Sequence, residues 1–267
     1  MASKTFITRL KSRIAWAFGL TASDLHRVLS YDLNGTTMRV DISNSYEKSR
    51  WDRLASKAKE PETIEWIDSF NSSDIFVDIG ANVGNYSLYA ACRHNGLQVF
   101  SFEPEPNSVS QLIKNKCLNN SANISVFMLP LSSNTLIDYF YLKHDLIAGE
   151  SNNQFGRSID SDGEGFTPTA QIGMCAVTLD SLIERGIVIQ PNHIKIDVDG
   201  IEDLVVSGME KCLASRKLRS LLIEINGDEL AVIKMIQYLE TFRLIIKRRP
   251  IGLTGNYIFV RNEPGSL

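Results

Sequence analysis

The stretch IFVDIGANVGNYS, residues 75–87, shapes the interpretation of the whole chain. It begins as an apolar run of strand length, turns at Gly80, and resumes with residues that suit a helix. Gly80 and Gly84 lack a Cβ atom, so their backbone can adopt positive φ and approach a ligand closely. The N–H groups of the new helix then face that ligand, and Asp78 adds a negative charge at the strand end. This arrangement suits a ligand that carries both an ammonium and a carboxylate group.

A second predicted strand ends in an acidic residue at the spacing of a ribose site. Residues 97–103 read LQVFSFE, and Pro104 and Pro106 stop the strand after Glu103. Glu103 follows Asp78 by 25 positions, close to the spacing at which an acidic residue accepts hydrogen bonds from a ribose diol. The two strand ends together predict an adenosine site.

Four blocks of sequence stand out along the chain, DIGANVG and YS within residues 78–87, FEPEPN at 102–107, IKIDVDGIE at 194–202 and LLIEI at 221–225. Together they resemble the FkbM family of S-adenosylmethionine-dependent methyltransferases. Their order and spacing are more specific than any single block, because Rossmann dehydrogenases also have a glycine-rich turn. The resemblance covers roughly the last three quarters of the chain and leaves residues 1–60 unexplained.

The resemblance implies a fold, a cofactor and a reaction. Spacing alone predicts a doubly wound α/β fold, and the resemblance extends this to a mostly parallel seven-stranded sheet of the Rossmann-like methyltransferase type, with its last strand antiparallel. The implied cofactor is S-adenosyl-L-methionine, and the implied acceptor is a hydroxyl oxygen of a sugar in a glycan, glycolipid or secondary metabolite. The expected cofactor-binding residues are Asp78, Gly80, Asn82, Gly84 and Glu103.

Three carboxylates, Asp197, Asp199 and Glu202, lie within six positions after the predicted fourth core strand. Such charges repel one another unless a cation, a hydrogen-bond donor or a substrate hydroxyl is near. An alcohol is a poor nucleophile until its proton is being removed, so O-methylation needs a positioned base. We predict that Asp197 is this base and that Asp199 and Glu202 orient the substrate. The structural alternatives are an Asp-Gly turn for Asp199 and a helix cap for Glu202.

A magnesium site is the alternative to a protein base. Some methyltransferases that act on diols bind magnesium through an acid after the fourth strand and an acid–amide pair after the fifth. Asp197, Glu224 and Asn226 could supply such oxygen ligands. The resemblance requires no metal, so no metal site is predicted.

Two further polar residues near this region receive weaker assignments. Lys195 shares a strand face with Asp197 and is expected to pair with a carboxylate nearer the middle of the strand. His193 lies at the amino end of the strand, away from the predicted site, and is not expected to be catalytic. His144 is the better histidine candidate, with a surface histidine as the alternative.

Other functions are weighed against the same residues. A nicotinamide-dependent oxidoreductase would use the glycine turn and Glu103, but Asp78 and the lack of a Tyr-x-x-x-Lys motif argue against it. A base-methylating enzyme would need an Asn/Asp-Pro-Pro-Tyr run where Asp197-Val-Asp-Gly stands. A nitrogen or carboxylate acceptor remains an alternative, as does a non-catalytic S-adenosylmethionine-binding protein, although the carboxylate cluster would then have no use.

Composition favours one enzyme domain in the cytoplasm. The 267 residues are 43% hydrophobic, enough to fill a large α/β core, and the net charge of -3 gives no basis for nucleic-acid binding. The four cysteines have no metal-site spacing and are expected to be reduced, mostly buried thiols. The sequence has no run of eighteen apolar residues, and residues 4–20 lack the uninterrupted apolar centre of a secretion signal. No pattern predicts the oligomeric state.

Residues 1–60 are predicted to form an extension ahead of a methyltransferase domain at 61–267. Residues 4–20 fit a basic amphipathic helix that could touch a membrane surface weakly, although docking on its own domain or on a second subunit is favoured. Asn34-Gly35 within residues 28–42 predicts a hairpin, and residues 46–59 a helix. This lead-in is expected to pack across the mouth of the cofactor site and help to close it.

Residues 132–177 are predicted to form an insertion beside the active crevice. Residues 136–142 and 170–179 suit strands, and residues 149–165 are expected to be mobile or ordered only by substrate. Together with the extension, this insertion is expected to set acceptor specificity. Just before it, Pro130, Leu131 and Ser132 are expected at the adenine end of the cofactor, with Ser132 as a cofactor-binding hydroxyl. A strand that simply leaves the sheet at Pro130 is the alternative.

Overall fold

The structure is a computed structural model that describes residues 27–143, 147–149, 151, 153–159 and 164–262. The predicted helix at residues 4–20 and His144 lie outside these described residues. The helices are α1 (Ser45–Ala55), α2 (Pro61–Asp68), α3 (Asn85–Arg93), α4 (Pro106–Leu118), α5 (Leu179–Glu184), α6 (Glu202–Ser207), α7 (Glu210–Ala214) and α8 (Glu229–Thr241). The strands are β1 (Arg27–Leu33), β2 (Thr36–Ile42), β3 (Ile75–Ile79), β4 (Gln98–Phe102), β5 (Ile124–Phe127), β6 (Leu136–Leu142), β7 (Gln154–Phe155), β8 (Ala170–Ala176), β9 (His193–Ile196), β10 (Ser220–Ile225), β11 (Leu244–Arg248) and β12 (Gly255–Arg261).

A seven-stranded sheet with the order β11-β12-β10-β9-β3-β4-β5 forms the centre of the fold. Strands β5, β4, β3, β9 and β10 pair in parallel, and β12 runs antiparallel to both β10 and β11. The predicted sheet and its antiparallel last strand are confirmed. Because the central strands are parallel, Asp78, Glu103, Asp197 and Glu224 come to the same carboxyl edge.

Helices cover both faces of the sheet, as the predicted doubly wound fold requires. One face packs against α5 to α8 through residues such as Leu182, Val205 and Leu239. The other packs against α1 to α4 and the β1–β2 hairpin, where Met38 and Trp51 are fully buried. The described part of the extension therefore shares a core with the sheet, while a domain boundary at residue 60 stays a prediction.

The β1–β2 hairpin turns at the predicted dipeptide. Asn34 and Gly35 both have positive φ, 51° and 75°, and Leu33 pairs with Thr36 across the turn. Two successive positive φ values are the property for which Asn-Gly is favoured in tight hairpins. The hairpin prediction is confirmed.

The insertion forms a small antiparallel sheet of its own in the order β7-β6-β8. Strands β6 and β8 match the two predicted strands, whereas the two-residue β7 gave no periodic signal in a segment rich in glycine and asparagine. The inner face of this sheet, with Phe140, Phe155 and Ala176, packs on Ile201 just after β9. The insertion therefore lies against the carboxyl edge of the main sheet, as predicted.

A buried polar network fixes the opposite, amino edge of the sheet. The imidazole of His193 lies between Ser220 Oγ at 2.7 Å and Asp74 Oδ2 at 3.0 Å, and the Phe70 ring stacks on it with a centroid distance of 3.8 Å. Burial lowers the pKa of His193 to about 4. The location agrees with the expectation that His193 is not catalytic.

The prediction of mostly buried cysteines is wrong for two of the four, and their reduced state stays a prediction. All four cysteines lie in the described part of the chain and are free thiols. Cys212 is buried and Cys92 half-buried, but Cys117 and Cys175 are exposed, because the exposed faces of α4 and β8 carry them. In the described ranges, no helix is long and apolar enough to cross a membrane.

Candidate active site

An open cleft of about 840 Å³ lies at the carboxyl edge of the sheet. It brings together five of the nine predicted site residues, Gly80, Asn82, Glu103, Asp197 and Asp199. The other four, Asp78, Gly84, Ser132 and Glu202, do not line it. Apolar side chains form one part of its wall, and these are Ile79, Phe102, Leu129, Leu131, Phe140 and Phe155.

Gly80 is required by a close approach between two strand ends. Its φ is +79°, and a Cβ atom at this position would lie 1.8 Å from the carbonyl oxygen of Asp197. The predicted close approach of this turn to a ligand stays a prediction, whereas the structure shows a close approach to the protein backbone. The glycine sets the distance between the first turn and the carboxylate of β9.

Replacing Gly80 with alanine should lower the free energy of unfolding by about 3 kcal/mol or more, because the backbone of Asp197 has to move. Gly186→Ala is the matched control: its φ is +68°, but a Cβ there meets open space, so about 1 kcal/mol is expected for the left-handed backbone alone. Denaturant unfolding of the two variants measures the difference. Equal losses would contradict the steric argument.

Glu103 lies at the cleft wall with its carboxylate held by the backbone. Its Oε2 atom accepts a hydrogen bond from the Asn82 N–H and its Oε1 atom one from the Glu105 N–H, both at 2.8 Å. Burial nevertheless raises the pKa of Glu103 to about 7. Each carboxylate oxygen has a second lone pair, so the group can still accept hydrogen bonds from a diol in the cleft.

Three predicted cofactor residues lie behind or beside the cleft. Asp78 is 1% exposed; Ser87 Oγ donates to its Oδ2 atom at 2.5 Å, and its Oδ1 atom has no hydrogen-bond partner among the described residues. Gly84 precedes α3 with a φ of +86° and packs against α4. Ser132 is buried, and its N–H bonds to the Val177 carbonyl at 3.0 Å. Their cofactor roles stay predictions. Because none of the three lines the cleft, these positions do not favour direct contact with the cofactor.

Lys195 supplies the cation that the carboxylate cluster needs. Its side chain is 1% exposed, and its Nζ atom lies 2.7 Å from Asp197 Oδ2. Burial opposes charge on both groups, but the attraction of Lys195 outweighs it and holds the pKa of Asp197 well below its usual range. Lys195 also faces Asp78 across β3 and β9. Lys195 therefore pairs with Asp197 at the strand end. It also lies next to Asp78, a core carboxylate of the kind expected from the sequence as its partner.

Glu224 forms a carboxyl pair with Asp197. The sequence indicated Glu224 only as a possible magnesium ligand. Its side chain is hydrogen-bonded to Asp197, and burial together with the charge of Asp197 raises the pKa of Glu224 to about 8. Below a pH of about 8 we therefore expect a shared proton to reside on Glu224, while Asp197 stays ionised beside Lys195. Ile196 of β9 pairs with Ile223 of β10, so the residues that follow them, Asp197 and Glu224, are neighbours. The adjacent parallel strands predicted from the sequence could have indicated this pair.

Asp199 lies in the turn that leads from β9 into α6, and Glu202 is the first residue of α6. Asp199 has a φ of +57°, and its carbonyl accepts a hydrogen bond from the Gln154 amide of the insertion. Glu202 Oε1 accepts from the Gly200 N–H at 3.0 Å and from the Val198 N–H at 3.4 Å. Burial raises the pKa of Glu202 to about 7. These hydrogen bonds stabilise the turn after β9. The catalytic roles of both residues stay predictions.

The extension contributes two cations to the cleft. Arg50 from α1 and Lys59 from the following loop are among its lining residues. The lead-in therefore borders the cleft, although the sequence did not single out these two side chains, and its closing of the cofactor site stays a prediction. Over the ranges that the structure describes, no group of three or more histidine, cysteine, aspartate or glutamate side chains is arranged to hold a metal ion.

The comparisons with known proteins identify the family. The sequence matches the methyltransferase FkbM domain over residues 78–244. It is 26% identical over 224 residues to hexuronic acid methyltransferase AglP from Haloferax volcanii, covering 83% of this chain and 82% of that protein.

Among solved structures, a putative rRNA methylase from Clostridium thermocellum has 10% identity and a TM-score of 0.48, covering 77% of this chain and 96% of that one. Precorrin-6y C5,15-methyltransferase from Geobacter metallireducens has 11% identity and a TM-score of 0.45, covering 76% and 87%. The domain match extends from the glycine turn to β11, which is more than half of the chain. The chain therefore belongs to the FkbM family of methyltransferases, and its cofactor is S-adenosyl-L-methionine.

Proposed function

We propose that the enzyme transfers the methyl group of S-adenosylmethionine to a hydroxyl oxygen of a sugar. The observation that carries this proposal is that Asp197, which lines the cleft, is hydrogen-bonded to Glu224. An alcohol needs a proton acceptor at this position, and the pair provides one. The relative named as a hexuronic acid methyltransferase supports a sugar as the acceptor.

The cleft residues fit the cofactor. Glu103 offers a buried carboxylate for the ribose hydroxyls, and the apolar wall with Leu129 and Leu131 suits adenine. Gly80 and Asn82 bring the first turn to the same cleft. When bound, the cofactor supplies an electrophilic methyl group, and the carbon–sulfur bond breaks with its electrons remaining on sulfur.

The protein's own contribution is to hold the acceptor and take its proton. Asp197, kept ionised by Lys195, accepts a hydrogen bond from the acceptor hydroxyl and fixes its direction. As the new carbon–oxygen bond forms, the hydroxyl proton passes to Asp197, and Asp197 passes it on to the deprotonated Glu224 through their hydrogen bond. We propose that Asp199 and Glu202 hold the turn that places Asp197. Alignment and exclusion of water supply most of the acceleration, and proton removal supplies less.

A carboxylate acceptor is the second candidate. A hexuronic acid carries both hydroxyl groups and a carboxylate, and Arg50 and Lys59 at the cleft would attract the latter. A carboxylate is already ionised near neutral pH, so forming a methyl ester needs no base. The two outcomes give different products, an ether and an ester.

An acceptor screen tests the proposed function. The enzyme is incubated with S-adenosylmethionine and with neutral hexoses, hexuronic acids, oligosaccharides or RNA, and release of S-adenosylhomocysteine is measured. We expect release that depends on a saccharide and not on RNA. Cofactor binding without release in the presence of any saccharide would contradict the proposal and favour a binding protein.

Cofactor binding should weaken as the pH falls through about 7, because Glu103 accepts ribose hydrogen bonds best when ionised and its pKa lies near that value. Binding should therefore lower the pKa of Glu103 and release protons at and below neutral pH. Calorimetric titration with S-adenosylhomocysteine in buffers of different ionisation enthalpy measures this release. In Glu103→Gln, affinity should be lower and the proton release should vanish; unchanged affinity would contradict the ribose assignment.

The cellular setting is also proposed. Free thiols at all four cysteines support a reducing, cytoplasmic location. A glycan or small-molecule acceptor fits the site, whereas contact of residues 4–20 with a membrane surface rests on sequence alone.

A further inference from the structure

A small recess with room for about one water-sized group adjoins the cofactor cleft on the side of the extension. Its lining is Arg50, Leu54, Lys59, Asn85 and Tyr86, and it shares Arg50 and Lys59 with the cleft itself. A ligand in the cleft can therefore place one polar group in this recess.

The floor of the recess presents an unused hydrogen-bond donor. Asn85 is 8% exposed, and its Nδ2 atom finds no hydrogen-bond partner anywhere in the described residues. Asn85 is also the first residue of the nine-residue helix α3, which is preceded by Gly84 and has no capping side chain in that part of the chain. The positive end of the helix dipole favours an anion here. A buried donor at this position lacks an acceptor, and a ligand can supply one.

The two cations keep donors available after their contacts with protein. The Nε atom of Arg50 donates to the Gly149 carbonyl, and a guanidinium has four further N–H groups. Lys59 Nζ lies 2.8 Å from Glu60 Oε1, and the other oxygen of Glu60 accepts from the Tyr86 hydroxyl at 2.7 Å. Glu60 is thus satisfied from within the protein, and the groups that remain to face a ligand are donors.

We propose that Arg50, Lys59 and Asn85 form a carboxylate-binding subsite at the entrance of the cofactor cleft. Two ligands of this reaction can supply the carboxylate, the amino-acid end of the cofactor or an acidic sugar acceptor. The first source rests on the cofactor alone, and the second rests on the proposed function. In both cases the extension determines which ligands bind productively.

Calorimetry with two cofactor fragments tests the first source. S-adenosylhomocysteine has the carboxylate, and 5′-methylthioadenosine lacks it. If the subsite binds the cofactor, Arg50→Gln and Asn85→Ala should each lower the affinity for S-adenosylhomocysteine by about tenfold or more. The affinity for methylthioadenosine should stay unchanged. Arg53→Gln, an exposed cation on the same helix, is the control and should change neither.

Steady-state kinetics test the second source. If the subsite binds the acceptor, the same variants should bind S-adenosylhomocysteine normally but raise KM for a hexuronic acid and not for a neutral hexose. Lys59→Gln, in a loop, serves as a second variant if Arg50→Gln does not fold. Equal weakening of both cofactor fragments, or affinities and KM values all within about twofold of wild type, would overturn the subsite. An absence of sugar methylation by the wild type would overturn the proposed function while leaving the calorimetric result valid.

Discussion

Replacing Asp197 with asparagine should lower kcat by about 10²- to 10⁴-fold while S-adenosylhomocysteine binds with nearly wild-type affinity. The substitution keeps the shape of the side chain but removes the charge that Lys195 holds in place at 2.7 Å. Asparagine can still contact the acceptor hydroxyl, but it no longer draws the proton toward the carboxyl pair. The measurement is the single-turnover rate of methyl transfer together with calorimetric affinity.

Loss of a buried partner for Lys195 has to be separated from loss of catalysis. Asp78 and Glu60 remain near the ammonium and compensate part of its charge, so we expect the free energy of unfolding to fall by about 1–3 kcal/mol. Asp199→Asn is the matched control, because asparagine tolerates the positive φ of this position and the residue also lines the cleft. A wild-type rate in Asp197→Asn would contradict the assigned role. An equal loss in both variants would show that the cleft charge as a whole, and not Asp197, is what matters.

Replacing Glu224 with glutamine should remove the main pH dependence of kcat. In the wild type Glu224 is protonated below its raised pKa of about 8, so it can accept a proton only as the pH rises through that value. We therefore expect kcat to rise with pH and level off above about 8. Glutamine cannot accept the proton, so the variant should have a low rate, by about 10²-fold or more, that is flat across this range.

The charged neighbours of Glu224 define the controls. Asp197 and Asp199 raise its pKa and Lys195 lowers it, while Lys59 and Glu60 act on the same cluster through Asp197 and Lys195. From β12 the neutral Asn256 pairs with Glu224 in register and is itself hydrogen-bonded to Glu62 at 3.1 Å. Glu202 also has a raised pKa of about 7. A pH profile that flattens in Glu202→Gln and persists in Glu224→Gln would assign the titration to the turn instead of the proton acceptor.

The architecture could be predicted because its signals are local and periodic. The apolar run of β3, the Asn-Gly hairpin and the strand-ending prolines after Glu103 each depend on a few neighbouring residues. Parallel strands then bring their carboxyl ends to one edge without further information. That is why the spacing, together with the family resemblance, could place Gly80, Asn82, Glu103, Asp197 and Asp199 in one cleft.

The electrostatic details of the site depend on contacts between distant segments. The proton on Glu224 depends on Asp197, and the charge on Asp197 depends on Lys195, so no single strand contains the information. The donors of the recess come from α1, a loop and α3, and the turn after β9 is held by Gln154 and Arg157 of the insertion. Asp78 and Ser132 were predicted to face the cofactor because they lie at strand ends in the sequence. In the structure both are buried, because neighbouring elements pack over them.

The central claim is that the enzyme forms an ether bond between the transferred methyl group and a sugar oxygen. The most direct test uses S-adenosylmethionine labelled in its methyl group with the best saccharide from the acceptor screen, followed by mild alkaline treatment of the purified product. We predict that the label stays on the sugar, since a methyl ether survives conditions that hydrolyse a methyl ester. Release of the label as methanol would contradict the claim and would show that a carboxylate is the acceptor.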